Sequence, residues 1–527
     1  MVLALGLLMS PPVSADDAFS AAVKSLNTRS FAEKSSAATL IAGMTHPRAG
    51  VVLEAMLTGN LYTKRRSDIV VIASALDQGG YRLVDAISGE ALGDVGRRGA
   101  KKISVNNGLR KQLRGLIAGR QLNHADFQDR IEAVEAIVVS GDIQLRPLLV
   151  SRRQLEQEVA VLEALDNALV IFDLDVGNGA VRLAAIQASA NNLHPTVRTK
   201  LTNIASDQSL DPEIRGAANQ ALLELEALAN QYQIVETFFF GLSLGSILVL
   251  AAIGLSITFG VMGVINMAHG ELIMIGAYIT YVVQILFPDI IEYSLLIAVP
   301  AAFCVSGIVG IMIERSVIQF LYGRPLETLL ATFGVSLILQ QTVRSLFSPL
   351  NRAVSTPEWM SGCLEIAQGL SITYNRLYIF FFALLVFAAL LLILQRTRLG
   401  LEVRAVTQNR SMAKAMGIRS ARVDIMTFGL GAGIAGVAGV ALSQLTNVGP
   451  NLGQGYIVDS FMVVVFGGVG NLWGTLVAGL SLGVVNKFIE PVAGAVVAKI
   501  LVLIFIILFI QKRPRGLFPQ KGRAVED

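Results

Sequence analysis

The alternation of apolar and polar positions divides the chain near residue 231. From Asp16 to about Gln231 charges are frequent and apolar runs are short; from Gln233 to Gln511 long apolar runs are separated by short polar joints. This pattern predicts a soluble domain over 16–231, a membrane domain over 232–511 and a basic tail over 512–527. No charged residue occurs between Thr237 and Ala268. One crossing needs roughly 20 residues, so this stretch holds one crossing and the start of a second, with a break near "FGVMG" (259–263). Further apolar runs lie at 261–286, 294–313, 326–347, 377–395, 424–446, 458–469, 472–488 and 494–511. The runs 458–469 and 472–488 are shorter than a full span and meet at "GGVGNLWG" (467–474). They predict a broken hairpin packed inside the protein, where irregular backbone at membrane depth is tolerated. About nine crossings result. Gly429 and Gly433, Ala432 and Gly436, and Ala435 and Gly439 are each four apart, a spacing that lets helices approach closely.

The soluble half follows a helical period. "FQDRIEAVEAIVVSGDIQLRPLLV" (127–150), "GAVRLAAIQASANNLHPTVRTKLTNI" (179–204) and "DPEIRGAANQALLELE" (211–226) each open near an Arg, then place Ala with Ile or Leu at helical spacing. Two continue to a second helix near Pro147 or Pro195, and an earlier copy runs through 33–57. These resemble HEAT-like helical pairs, which stack because one pair cannot bury its apolar stripe alone. Segment 58–110 interrupts the period, and Val70 to Ser74 with Tyr81 to Ile87 predict a short hairpin around Gly79-Gly80. The fold class expected from the pattern is all-α.

Composition agrees with the division. The chain has 527 residues, 53% hydrophobic and 16% charged, with a net charge of +4. Lys and Arg in the membrane half cluster beside apolar runs, which suits membrane topology and not nucleic-acid binding. Arg315 and Arg324 flank one joint, Arg396 to Arg422 crowd another, and Lys512, Arg513, Arg515, Lys521 and Arg523 follow the last run. All three are expected to be cytoplasmic, and the joints 287–293, 348–376 and 447–457 to face outward. "MVLALGLLMSPPVSADD" reads as a signal peptide over 1–15, with cleavage after Ala15, which places 16–231 outside the cytoplasm. Cys304 and Cys363 are the only cysteines, so neither a disulfide framework nor a zinc site is expected.

The chemistry sits in two places. Asn266, His269 and Glu271 interrupt lipid-compatible sequence; they either satisfy backbone groups at the break between the first two crossings or line a polar path. In the basic joint, Asn409 or Ser411 can cap a short helix and Gly417 suits its left-handed end. Met412, Ala413 and Met416 give that helix a small apolar face suited to a cytoplasmic partner. No metalloprotease motif, Ser/His/Asp grouping or phosphate-binding loop occurs, which weakens an enzyme reading and means that any ATP-driven transport needs another chain to bind the nucleotide. A channel, a transporter, a membrane enzyme and a membrane scaffold stay open on these features.

Three stretches, "GLSITFGVMGVINMAHGELIMIGAY", "RAVTQNRSMAKAMGI" and "VVVFGGVGNLWGTLVAGLSLGV", stand in order, followed by "PRGLFPQKGR". With them the membrane half resembles permease subunits of ATP-binding-cassette importers of the branched-chain amino acid class. The preceding exported helical domain resembles the B-type permease of urea uptake transporters. The resemblance implies a bacterial inner-membrane permease that pairs with a second homologous permease, two cytoplasmic ATPases and an extracytoplasmic binding protein. This chain would bind no cofactor or metal, and its partners would use ATP. The coupling loop implied is Arg404, Asn409, Met412, Ala413, Lys414, Met416 and Gly417; Ala413 and Gly417 keep the family's core, while Ser411 and Met412 replace its Glu-Ala. A path for urea needs amide, hydroxyl and carbonyl groups, not fixed charges, with Thr332, Gln340, Gln341, Ser443, Gln444 and Asn447 as candidates. Branched-chain amino acids or short-chain amides are the alternative substrates.

Overall fold

The computed structural model describes residues 15–519 except 66, 77–78, 97, 176–178 and 368. The expected signal segment and the tail cations Lys521 and Arg523 lie outside the described residues. Contacts divide the chain into two units, Met1–Leu228 and Ala229–Asp527.

The first unit begins with α1 (Ala15–Ser25), α2 (Phe31–Gly43) and α3 (Ala49–Thr58). Five strands follow: β1 (Leu61–Lys64), β2 (Val70–Ala75), β3 (Tyr81–Asp85), β4 (Ala91–Val95) and β5 (Ala100–Lys102). They form one antiparallel sheet in the order β4-β3-β2-β1-β5. The expected hairpin is its β2–β3 pair, but the sheet is larger than a hairpin and the unit is not all-α. Alternation along the strands explains why it forms. Leu61 and Val70 join the core of α1 to α3, while Val71, Ala73, Leu83 and Ala100 bury the other face with Tyr62 and Tyr81.

The remainder of this unit is helical: α4 (Asn107–Gln121), α5 (Phe127–Ser140), α6 (Arg146–Leu155), α7 (Val159–Asp173), α8 (Gly179–Ala188) and α9 (Pro195–Ser206). Proline opens α6 and α9 at their first turns, where a missing N–H costs nothing. Two cores run through these helices in succession, one around Leu145, Leu149 and Leu165, the next around Ile186, Leu201 and Leu225.

Helix α10 (Pro212–Met262) contributes its first turns to this unit and its apolar remainder to the second. It ends at Gly263, whose φ of 68° only glycine adopts readily, within the break expected at 259–263. Then come α11 (His269–Leu286), α12 (Ser294–Ser316), α13 (Pro325–Phe347), strands β6 (Cys363–Ala367) and β7 (Leu370–Thr373), α14 (Tyr374–Arg396), α15 (Arg398–Gln408), α16 (Arg410–Ala415), α17 (Ser420–Ser443), α18 (Gln454–Gly467), α19 (Leu472–Ala493) and α20 (Ala495–Lys512). Among the described residues eight helices are long and apolar enough to cross a membrane. The 14-residue α18 is about 21 Å long at 1.5 Å per residue, short of the roughly 30 Å hydrocarbon core. Its mate α19 has 22 residues and is a full-length helix, contrary to the short half-span expected there.

Helix α17 occupies the centre of this unit and is buried almost throughout. Its small residues permit that: a Cβ on Gly439 would lie 1.9 Å from the Ile273 carbonyl oxygen, and one on Gly436 2.4 Å from Ser306 Oγ. The turn between α18 and α19 is closed by Leu517 and Phe518. Leu517 N–H donates to the Phe466 carbonyl at 2.9 Å and Phe518 N–H to the Gly467 carbonyl at 3.1 Å. Two terminal carbonyls of α18 thus gain donors that no further helical turn supplies.

The polar joints collect at two ends. Arg352 and Val448 exchange backbone bonds. Gln284 bonds both backbone groups of Ser355, and Trp359 Nε1 donates to the Glu292 carbonyl. Joints 287–293, 348–376 and 447–457, all expected on one side, therefore meet. At the opposite end Arg410 joins the arginine-rich joint to Tyr322 and Asp424.

Candidate translocation seam and docking helix

The break before α11 is held by short-range bonds. Asn266 Oδ1 accepts from the Ala268 N–H at 3.0 Å, bringing His269 and Glu271 into the helix's first turn. His269 is fully buried, and its Nε2 lies 2.9 Å from the Ala251 carbonyl oxygen of α10. A carbonyl only accepts, so Nε2 carries the proton in this arrangement. The imidazole thus pins α10 to α11.

Glu271 turns toward α13. Its Oε1 accepts from Ser336 Oγ at 2.9 Å and from Gln340 Nε2 at 2.7 Å, and Gln340 Nε2 lies 3.3 Å from Ser336 Oγ. One turn earlier, Thr332 Oγ1 accepts from the Met267 N–H at 3.1 Å. Thr328, Thr332, Ser336 and Gln340 recur every four residues, so one face of α13 is a polar stripe, and all four are buried. Among the described residues Asn266 Nδ2, Glu271 Oε2 and Tyr278 Oη beside this seam, and His269 Nδ1 on its α10 side, have no hydrogen-bond partner.

The sequence candidates therefore separate. Asn266, Glu271, Thr332 and Gln340 share the α11–α13 seam, with His269 on its α10 side. Gln341 is exposed on another face of α13, one residue and about 100° from Gln340. Asn447 is exposed in an end joint. Ser443 Oγ bonds back to the Val440 carbonyl, and Gln444 lines a largely apolar cleft of about 400 Å³ between α12 and α14 with Trp359 and Tyr378. Ser336 was missed because a lone serine inside an apolar run carries no signal; its four-residue spacing from Thr332 and Gln340 is what identifies it.

At the other end of the unit α16 stands on a cap. Asn409, not Ser411, supplies it: its Oδ1 accepts from the Met412 N–H at 2.9 Å. Gly417, at φ 88°, ends the turn. The apolar face is divided. Ala413 is buried with Val403, Val406 and Val423, whereas Met412 and Met416 are 60% and 78% exposed. Arg410 anchors the helix, pairing with the buried Asp424 and stacking 4.4 Å over the Tyr322 ring. Arg404 lies on α15, where its Nη1 donates to the Leu394 carbonyl at 2.6 Å. It borders a cleft of about 510 Å³ with Gln395, Gln408, Asn471 and Trp473.

The sequence profile described as "Branched-chain amino acid transport system / permease component" matches residues 237–510. The high-affinity branched-chain amino acid transport system permease protein BraD of Pseudomonas aeruginosa is 32% identical over 296 residues, 54% of this chain and 96% of the relative. Its counterpart LivH of Escherichia coli strain K12 is 30% identical over 294 residues, 54% of this chain and 94% of the relative. The ribose import permease protein RbsC of the same strain is 28% identical over 206 residues, 37% of this chain and 62% of the relative. No solved structure matches.

Proposed function

Since the chain belongs to the branched-chain amino acid transport permease family, we propose that it is one of two permease subunits of an ATP-driven importer whose substrate is urea. The observation that carries the transport reading is the family match spanning the membrane unit together with the capped helix α16, which presents Met412 and Met416 outward. In this reading α16 docks on a cytoplasmic ATPase. A second permease completes the path, a second ATPase serves it, and an extracytoplasmic binding protein delivers substrate. The urea assignment rests on the resemblance of the whole domain order to the B-type permease of urea transporters. It is supported by the chemistry of the α11–α13 seam, where hydroxyl and carboxamide groups suit a small solute that bonds through N–H and C=O; the Glu271 carboxylate beside them departs from the charge-free path expected from the sequence. The first unit, outside the cytoplasm in this reading, offers a basic surface. Arg98, Lys101, Lys102, Arg110, Lys111 and Arg114 are exposed, and the segment 97–121 contains no Asp or Glu. Such a surface steers acidic partners.

The names of BraD and LivH favour a second reading, branched-chain amino acid uptake. Uptake of labelled urea and labelled leucine by the reconstituted complex separates the two. Urea uptake that unlabelled leucine does not reduce is expected; leucine uptake without urea uptake would replace the first reading with the second.

A further inference from the structure

Glu271 is buried to within 1% of its surface, and both donors it engages are neutral, the Ser336 hydroxyl and the Gln340 carboxamide. Both use Oε1, while Oε2 has no hydrogen-bond partner among the described residues. No cation pairs directly with it: Arg344, one turn beyond Gln340, acts only from a distance and bonds Asn451 instead. A buried carboxylate held by neutral donors is an expensive way to hold two helices together; a glutamine would serve that purpose at less cost. What a carboxylate adds is a second, strongly accepting oxygen. Its complement is a group that only donates, such as an ammonium or the NH2 end of an amide. Gln340 already shows the fit, since its own –CONH2 donates to Glu271 at 2.7 Å. Resting on the permease reading, we propose that Glu271 binds an N–H donor of the transported solute, which displaces the Gln340 carboxamide as the seam between α11 and α13 opens.

The exchange is chemically even. One amide N–H replaces another on the same anion, so the seam parts without leaving the carboxylate bare. The other polar link along this seam, Met267 N–H to Thr332 Oγ1, is of the same displaceable kind, while the far end of the seam is closed by the Tyr278 ring on Phe347. The other faces of α13 carry the exposed Phe333, Leu337 and Ile338. Tyr278, seven residues or about 10.5 Å along α11 from Glu271, is 3% exposed and holds a second unpartnered atom, Oη. Asn266 Nδ2 is a third, on the opposite side of Glu271 in sequence. A donor, an acceptor and a hydroxyl in series give successive weak stations, which suits passage better than one tight site.

The test is the concentration dependence of uptake in reconstituted complexes, with labelled urea, acetamide and leucine as probes. Glu271→Gln is expected to raise KM by about tenfold or more, the loss of a charge-assisted hydrogen bond. Gln340→Leu, which removes the internal competitor, is expected to lower KM. A purely packing role would reduce assembly or maximal rate in both variants and leave KM within twofold, which overturns the proposal. Where Glu271→Gln fails to assemble, Glu271→Asp keeps the charge but moves it back; raised KM supports the proposal and unchanged KM refutes it. The probe whose KM responds distinguishes a neutral amide from an ammonium as the donor. If wild-type complexes carry none of the three probes, the substrate reading itself falls, a result distinct from an unresponsive KM.

Discussion

His269 bonds through its distal nitrogen, and that selects its replacement. Nε2 reaches the Ala251 carbonyl at 2.9 Å, so the side chain that retains the bond is glutamine, whose amide nitrogen lies farther from the backbone than asparagine's. Ala251 is inside α10, where its carbonyl already accepts a helical bond, so the lost interaction is about 1 kcal/mol. His269→Gln is expected to keep most uptake at matched membrane levels, and His269→Leu to lose more of it and to melt earlier in detergent. Equal and complete loss in both would mean that the imidazole takes up a proton during transport, which neither replacement can do. The same residue marks what the sequence discloses. That His269 lies at a helix break was legible from the apolar run around it. Its partner, 18 positions away on α10, was not. Nor was the link from Glu271 to Ser336 and Gln340, 65 and 69 residues on.

At the scale of elements, local signals translated well and lateral pairing did not. Asn409 and Gly417 located α16 because caps act within one turn. Strands β1, β4 and β5 escaped notice because strands of three to five residues carry little periodicity and gain their burial from neighbours. Two elements give predictions. Helices α11 and α17 touch through glycine, so Gly439→Ala, which puts a methyl 1.9 Å from the Ile273 carbonyl oxygen, is expected to cost about 1–3 kcal/mol or more. Gly334→Ala in α13 meets nothing within 4 Å and is expected to stabilise by about 1 kcal/mol. Thermal melting of both variants in detergent checks the pair; similar melting points would refute the close crossing. In the first unit Glu156 receives Arg130 from α5 at 2.9 Å and Arg152 from α6 at 2.7 Å. Burial alone would raise its pKa, but the two guanidiniums and the N–H groups of Glu158 and Gln157 outweigh it and hold it at about 2. A depressed carboxyl stabilises the fold above its unfolded value and loses that contribution as pH falls. Glu156→Gln is therefore expected to speed amide exchange in α5 and α6 at pH 7. The difference should shrink below the ordinary value of 4.5 and vanish near 2.

For the whole molecule the cations beside the spans set the orientation. The membrane unit gathers its arginine-rich joints at one end and its joints poor in Lys and Arg at the other, an arrangement that bonds such as Gln284 to Ser355 and Arg410 to Asp424 hold in place. Positive charge is retained on the cytoplasmic side, so the end carrying α16 is expected there. Among the described residues there are eight helices long enough to cross and the shorter apolar α18, so nine crossings are expected if α18 also passes through. If each passes from one face to the other, the first unit and the C-terminal end of α20 are expected on opposite sides. The basic stretch 97–121 argues the other way if charges are merely counted. However, the charge rule acts over short loops and the flanks of crossings, and long domains are translocated largely regardless of it. The cations that decide are those beside the spans. A reporter active only in the cytoplasm, fused after Ala229, is therefore expected to be silent, and the same reporter fused after Lys512 to be active. Activity at Ala229 with silence at Lys512 would invert the molecule and place the exposed Met412 and Met416 outside the cell. That result would remove α16 as an ATPase docking site whatever the substrate proves to be.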